Sequence, residues 1–473
     1  MPVPDTQLLE RFAAIIGEAN ALTPDKTDLT HYTQENRNIY HGVTPLVLRP
    51  ANAQEVSAIM RLADETGTAI VPQGGHTGHA AGGAPDESGT QVVVSLERMN
   101  RLREIDVQGN TITVEAGMVL QTVQEIAAEN DRLFPVSLAS QGSCQIGGNI
   151  SSNAGGTGVI AHGNMREQVL GLEVVLPNGD VWEGLRKLRK DNTGYSLRNL
   201  FIGAEGTLGI VTAAVLKLSP KPKGREVAFA TVTSPQHALD LLNLALGEAG
   251  SALTAFELIH RTPLEFALTH APGSRDPFPE PHEWYVLAEI SSGRSAEDAR
   301  ALAEAIFGQA LEDEVAVDVV LAENLAQQAA FWKLREDMAV AQTKEGGSIK
   351  HDISVPVHLI PEFLEKAGAI IAAEMPDARI VAFGHMGDGN LHYNITQPKD
   401  GDGQTFLARR DEINDKVYAL GLSLGGSISA EHGIGRLKRE RMAAAKSPVE
   451  MAMMRTIKAA LDPRGIMNPG KVV

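Results

Sequence analysis

The chain has 473 residues, 43% of them apolar, and a formal net charge of −17. That length exceeds a single core and predicts about two or three domains, each with enough apolar residues to fold without staples. The charge argues against nucleic acid and anionic bilayers, which need a basic field, and the lone Cys144 excludes an intramolecular disulfide. No basic segment leads into an apolar run near residue 1, and no window reaches the roughly 18 apolar residues of a membrane span. A cytoplasmic location without an integral membrane segment is the expectation.

In chain order, Leu8, Leu9, Phe12, Ile15 and Ile16 recur at helical spacing and predict an amphipathic helix within 6–20. A strand at 47–50, a helix at 53–66 ended by Gly67, and a strand at 69–71 follow. This β-α-β opening leads into Pro72-Gln73-Gly74-Gly75-His76-Thr77-Gly78 and on to Gly82-Gly83, a glycine-rich loop directly after a strand, where ligand loops sit in α/β architectures. Strands at 92–96 and 111–114 and a helix at 119–129 precede a longer glycine-rich stretch, 142–158.

That stretch holds Gly142, Ser143, Gly147, Gly148, Asn149, Ser152, Asn153, Gly155 and Gly156, and so many glycines predict loop throughout rather than helix. Glycine lets main-chain N–H groups approach a ligand, while Ser and Asn add short donors, a combination suited to phosphate or pyrophosphate. A flexible linker is the bland alternative. Cys144, Ile146 and Ile150 at fixed places between apolar segments argue against it. A strand at 169–176, a turn at Asn178-Gly179 and a return at 181–182 lead to a third tight turn within 201–211, Glu205-Gly206-Thr207-Leu208-Gly209-Ile210. Neither glycine loop carries a G-x-x-x-x-G-K-[ST] or a clean helix-opening G-x-G-x-x-G, which leaves P-loop and classical nicotinamide folds unsupported.

Beyond residue 220, strand, helix and strand at 226–233, 235–247 and 255–259 are repeated at 284–290, 296–307 and 315–321. The recurrence predicts an antiparallel sheet with helices on one face, with the Pro-rich 271–281 as an exposed loop. His385 and His392 flank a turn that folds two short strands together and brings both imidazoles to one end. With the carboxylate of Glu431 they form a donor set suited to Zn²⁺, or to Mn²⁺ or Fe²⁺ with extra water, although a His pair is more often structural. Asp388 reads as a turn former, and His432, beside Glu431, points to another side in an extended segment and could act as a base. Arg335 lies on a helix at 322–343 and Lys350 enters a strand; for most such residues the ordinary reading is a solvated charge. A last helix covers 451–461, with Met451, Met454 and Met467 filling core.

Residues 72–85, 142–156 and 205–209 resemble the three FAD-contacting segments of the flavoproteins named after vanillyl-alcohol oxidase and p-cresol methylhydroxylase (PCMH). Residues 383–392, 429–433 and 462–471 are similar to motifs of the FAD-linked D-2-hydroxyacid dehydrogenase branch, so the resemblance runs from about residue 40 to 473. It implies an α+β fold. A helical segment, 1–42, would precede a two-lobed PCMH-type FAD-binding domain, 43–220, a ferredoxin-like cap or substrate domain, 221–425, and a C-terminal helical segment, 426–473, returning to the flavin.

By that resemblance the FAD pyrophosphate would lie on N–H groups from Gly74 to Gly78, with the longer glycine stretch along the isoalloxazine and ribityl chain and the Glu205–Ile210 turn toward adenine. Gly163 and Asn468 complete the implied FAD contacts. The branch usually has Asn where His76 stands and an apolar residue where His79 stands. Two readings of His76 follow: a covalent bond to the flavin 8α carbon, or a hydrogen bond to the pyrophosphate in Asn's place. The resemblance further implies His385, His392 and Glu431 as ligands of a divalent metal, zinc foremost, with His432 as base and substrate contact, and Arg335, Lys350 and Asn394 as substrate contacts. Two cations imply two carboxylates, which favours D-2-hydroxyglutarate, although Ala339 replaces a family Thr and removes one expected bond. Alternatives are D-lactate or glycolate oxidation, or a non-catalytic flavin electron-transfer subunit, against which the complete His and Glu set speaks. The implied partners are the hydroxy acid and an electron acceptor, be it an electron-transfer flavoprotein, a quinone or oxygen, with a homodimer as an open expectation.

Overall fold

The computed structural model describes residues 3–473, which fall into two compact units. Met1 and Pro2, at the start of the predicted 1–42 segment, lie outside the described residues. The first unit combines the chain up to Gly155 with Gly163–Pro220 and Glu431–Val473; the second is Lys221–Ala430 plus the excursion Gly156–His162.

In the first unit, helix Ala53–Thr66 starts where the Asn52 side chain accepts the Glu55 N–H and stops at Gly67, whose φ of +69° is left-handed. Val56, Ile59, Met60 and Ala63 form its buried stripe against Ile70, Val92 and Val94. Fully burying an aliphatic side chain of this kind stabilises by about 1.5–3 kcal/mol. Those three residues belong to a four-stranded sheet in the order 21–22, 47–48, 91–95, 69–73. A separate antiparallel sheet runs 102–106, 111–115, 210–217, 169–175, 181–184, and both sheets share one core. The end of the chain closes this unit, because Ile70 donates to Ile466 O and accepts from Asn468 N–H, both at 2.8 Å.

The stretch 142–158 is not loop throughout. Residues Ile146–Ser151 form a short helix, and burial of Ile146 and Ile150, one turn apart, outweighs a glycine cost of about 1 kcal/mol each. A Cβ on Gly147 would stand 2.8 Å from that of Ala116, so the helix reaches the sheet only with glycine there.

The second unit is built on an eight-stranded sheet ordered 318–321, 224–232, 284–292, 253–260, 379–385, 390–396, 348–349, with 352–354 also on 390–396 and every pairing antiparallel. Helices cover both of its faces, not one as the pattern predicted. Strand Gly224–Val232 is apolar on both sides: Ala228, Ala230 and Val232 enter one core, while Val227 and Phe229 enter another. The second core is roofed by Leu264, Phe266 and Ala267 of helix Arg261–His270, absent from the sequence reading, and by Phe331, Leu334 and Met338 of helix Leu325–Ala341. No helix among the described residues is long and apolar enough to cross a membrane.

Candidate active site

In the first unit the glycine segments meet. A Cβ on Gly75 would lie 2.2 Å from Ser143 O, so the 72–83 and 142–158 segments touch backbone to backbone. Asn468 Nδ2 donates to Gly82 O at 2.9 Å and to Glu205 O at 2.8 Å, which draws in the third turn and the chain end. Gln73, buried, donates to Tyr32 O and Gly83 O and so closes the first loop on itself. Gly78 and Gly148 face open space.

Several residues read as FAD contacts have other duties. The Glu205 carboxylate accepts the N–H groups of Ile434 and Gly435, each at 2.7 Å, and straps the returning chain; burial pushes its carboxyl above the usual range against those two donors. Gly209 and Ile210 pack against the neighbouring strand Val169–Val175 or within the core, Gly163 abuts Glu167, and Asn153 accepts the Arg166 N–H at 3.0 Å. Asn149 is buried beside Cys144, Ser152 caps Gly148 O, and Gly156 belongs to the second unit's excursion. Both ring nitrogens of His76 are engaged within the protein, Nε2 with Gln34 O at 2.7 Å and Nδ1 with Gln73 Nε2 at 3.0 Å. Burial lowers its pKa, which favours the neutral ring.

In the second unit, His385 ends strand Arg379–His385 and His392 lies on Asn390–Thr396, with ring centroids 5.8 Å apart at 86°. The turn between them is fixed by Asp388, whose Oδ1 accepts the Asn390 N–H at 3.0 Å while Oδ2 lies 3.7 Å from His385 Nδ1. Desolvation, then the neighbouring His385, pulls His392 down to about 3, so its imidazole is neutral and has a lone pair for a metal. Asp352 sits opposite His392 across the adjoining strand pair, and Ala430 donates its N–H to Asp352 O.

Glu431 and His432 directly follow Ala430 and open the chain's return to the first unit, where the His432 ring meets His79 edge-on at 4.8 Å. Lys350 is half-buried between two short strands. Asn394 is buried and bonded at both ends of its amide: Oδ1 accepts the His351 N–H, and Nδ2 donates to Gln342 Oε1. Those bonds tie the strand Asn390–Thr396 to the His351 backbone and to the turn at Gln342–Glu345. Arg335 is buried and gives its Nε–H to Glu257 Oε2 at 2.6 Å. Burial works to raise the Glu257 carboxyl, but the adjacent Arg335 guanidinium overrules it and helps hold it below the usual range. Glu257 and Asp352 belong to no motif in the sequence; their only signals are a lone carboxylate in an apolar strand and an Asp next to Lys350-His351.

The family described as FAD binding domain matches residues 44–184, and that described as FAD linked oxidases, C-terminal domain, matches residues 221–472, over half the chain. This chain belongs to the FAD-linked oxidases. The FAD-linked oxidase is 39% identical to "D-2-hydroxyglutarate dehydrogenase" of Xanthomonas citri pv. viticola over 95% of this chain and 94% of that one. It is 37% identical to "D-2-hydroxyglutarate dehydrogenase, mitochondrial" of Arabidopsis thaliana over 99% and 82%. Its fold matches crystalline p-cresol methylhydroxylase with a TM-score of 0.76 at 17% identity, covering 99% of this chain and 97% of the other. These likenesses bear out the family and the α+β, PCMH-type fold expected from the motifs.

Proposed function

We propose that this FAD-linked oxidase is a D-2-hydroxyacid dehydrogenase that converts D-2-hydroxyglutarate, or a similar dicarboxylate, to the 2-oxo acid with the help of a divalent metal. The observation that carries the reading is the His385–His392 pair on one hairpin, with Arg335 held close by through Glu257. FAD fits the first unit: glycine segments converge there, and Gly78 and Gly148 leave room for a ligand along the backbone. Gly74 to Gly78 would hold the pyrophosphate, and Gly142 to Gly148 would border the ring system. Since both His76 nitrogens already have protein partners, the flavin is held without a covalent bond to it.

A divalent cation fits the donor chemistry of the His385 and His392 imidazoles, with Glu431 as the carboxylate that the family motif implies. Zinc is favoured by two imidazoles and one carboxylate. Such a cation supplies Lewis-acid polarisation of the substrate hydroxyl, and the flavin supplies a hydride acceptor. Among the chain's own residues, His432 takes the hydroxyl proton, Arg335 grips one carboxylate by its planar fork, and Lys350 serves the second as a point charge.

The test is the anaerobic visible spectrum of the metal-replete protein before and after addition of D-2-hydroxyglutarate, with D-lactate, glycolate and the L-enantiomers alongside. The expected result is bleaching by the D-dicarboxylate that a chelator abolishes. Preference for a monocarboxylate would replace the substrate, and a flavin that no hydroxy acid bleaches would overturn the reading.

A further inference from the structure

Glu257 has no exposure to solvent and is set in the apolar strand Leu253–His260. A buried charge persists only when it is paired. Sheet register puts Glu257 opposite His385, and Arg335 arrives from helix Leu325–Ala341. Beyond the Nε–H given to Glu257, the guanidinium lies over the Phe383 ring, 4.6 Å from its centroid. One face and one edge are thereby fixed, and only Nε is engaged. The two terminal amino groups, the fork that matches a planar carboxylate, have no hydrogen-bond partner among the described residues. The other oxygen of Glu257, Oε1, is buried without a hydrogen bond, 3.7 Å from His385 Nε2.

We propose that Glu257 is a positioning residue: it holds Arg335 by Nε so that the terminal fork is presented to the substrate carboxylate beside the histidine pair. Its charge also lets the guanidinium and a divalent cation occupy the same buried corner. An arginine side chain turns about several bonds, and fixing it before the substrate arrives removes an ordering cost from binding. The proposal rests on the function proposed above, in which Arg335 meets a carboxylate and His385 a metal.

Glu257→Asp keeps the charge and draws it back by one methylene; Glu257→Gln keeps the size and removes the charge. In the flavin-loaded enzyme, the Asp variant is expected to raise KM for the hydroxy acid about tenfold or more with kcat little changed. The Gln variant is expected to weaken zinc binding, read by competition with a chromophoric chelator, by about 10–100-fold. In a double-mutant cycle with Arg335→Lys, the KM effects should be non-additive. Wild-type KM and zinc affinity in both variants, or an additive cycle, would overturn the proposal. Should a variant lose its flavin or fail to fold, a crystal of the wild-type enzyme with 2-oxo acid product decides. The Arg335 fork on the product carboxylate, with Nε still on Glu257, supports the role, and either contact missing refutes it. Bleaching of the wild-type flavin by a D-2-hydroxy acid separates the two failures. With bleaching intact and the variants inert, only Glu257 loses its part; without bleaching, the functional reading falls and takes this one with it.

Discussion

At the scale of single residues, protonation and hydrogen-bond partners divide the work. His432→Ala removes the proposed base and is expected to slow flavin reduction by roughly two or more decades while FAD stays bound, measured by stopped-flow bleaching. Unchanged reduction would take His432 out of the chemistry. Because His76 is hydrogen-bonded through both nitrogens, acid precipitation is expected to release all flavin to the supernatant; colour left in the pellet would show a covalent link. Residue types at short spacing made the His385–His392 pair legible in sequence, since one hairpin turn joins them. Glu257 was not legible in the same way. Its partner Arg335 is 78 residues distant and reaches it only through sheet register and the packing of a helix, neither of which is written locally.

At the scale of elements, the contrast between two adjacent glycines gives a direct test. Gly147→Val drives a side chain into Ala116 and is expected to cost about 1–3 kcal/mol, read as a lowered urea midpoint. Gly148→Ala meets no protein atom within 4 Å and is expected to leave the fold intact while weakening FAD retention, read as flavin content after dialysis. Glycine density led to a prediction of loop across this stretch; the short helix there is held by Ile146 and Ile150 in the core, a tertiary effect that outweighs local propensity. The helices on both faces of the large sheet were hidden for a related reason. A strand that is apolar on both sides, as Gly224–Val232 is, announces two cores, yet Arg261–His270 is too short and weakly patterned to declare which residues cover the second.

At the scale of the whole molecule, stability carries a pH signature from the chain end. Lys471 is buried, and desolvation, followed by repulsion from Arg436, lowers its pKa from 10.5 to about 7. Between about pH 7 and 10.5 the unfolded chain binds this proton and the folded one does not, so stability should rise with pH across that window by up to about 1.4 kcal/mol per unit. Lys471→Met is expected to flatten the rise and to raise the urea midpoint near neutral pH. The same terminal segment has a consequence for synthesis. Ile466 and Asn468 bracket Ile70 in the first unit, so a nascent chain cannot close that unit until residues 466–468 have been made. The second unit, nearly continuous from Lys221 to Ala430, has most of its residues available much earlier. The unit matched by the FAD binding domain is therefore completed only after the whole of the second unit has been synthesised, and flavin capture has to wait for residues that lie on the far side of it.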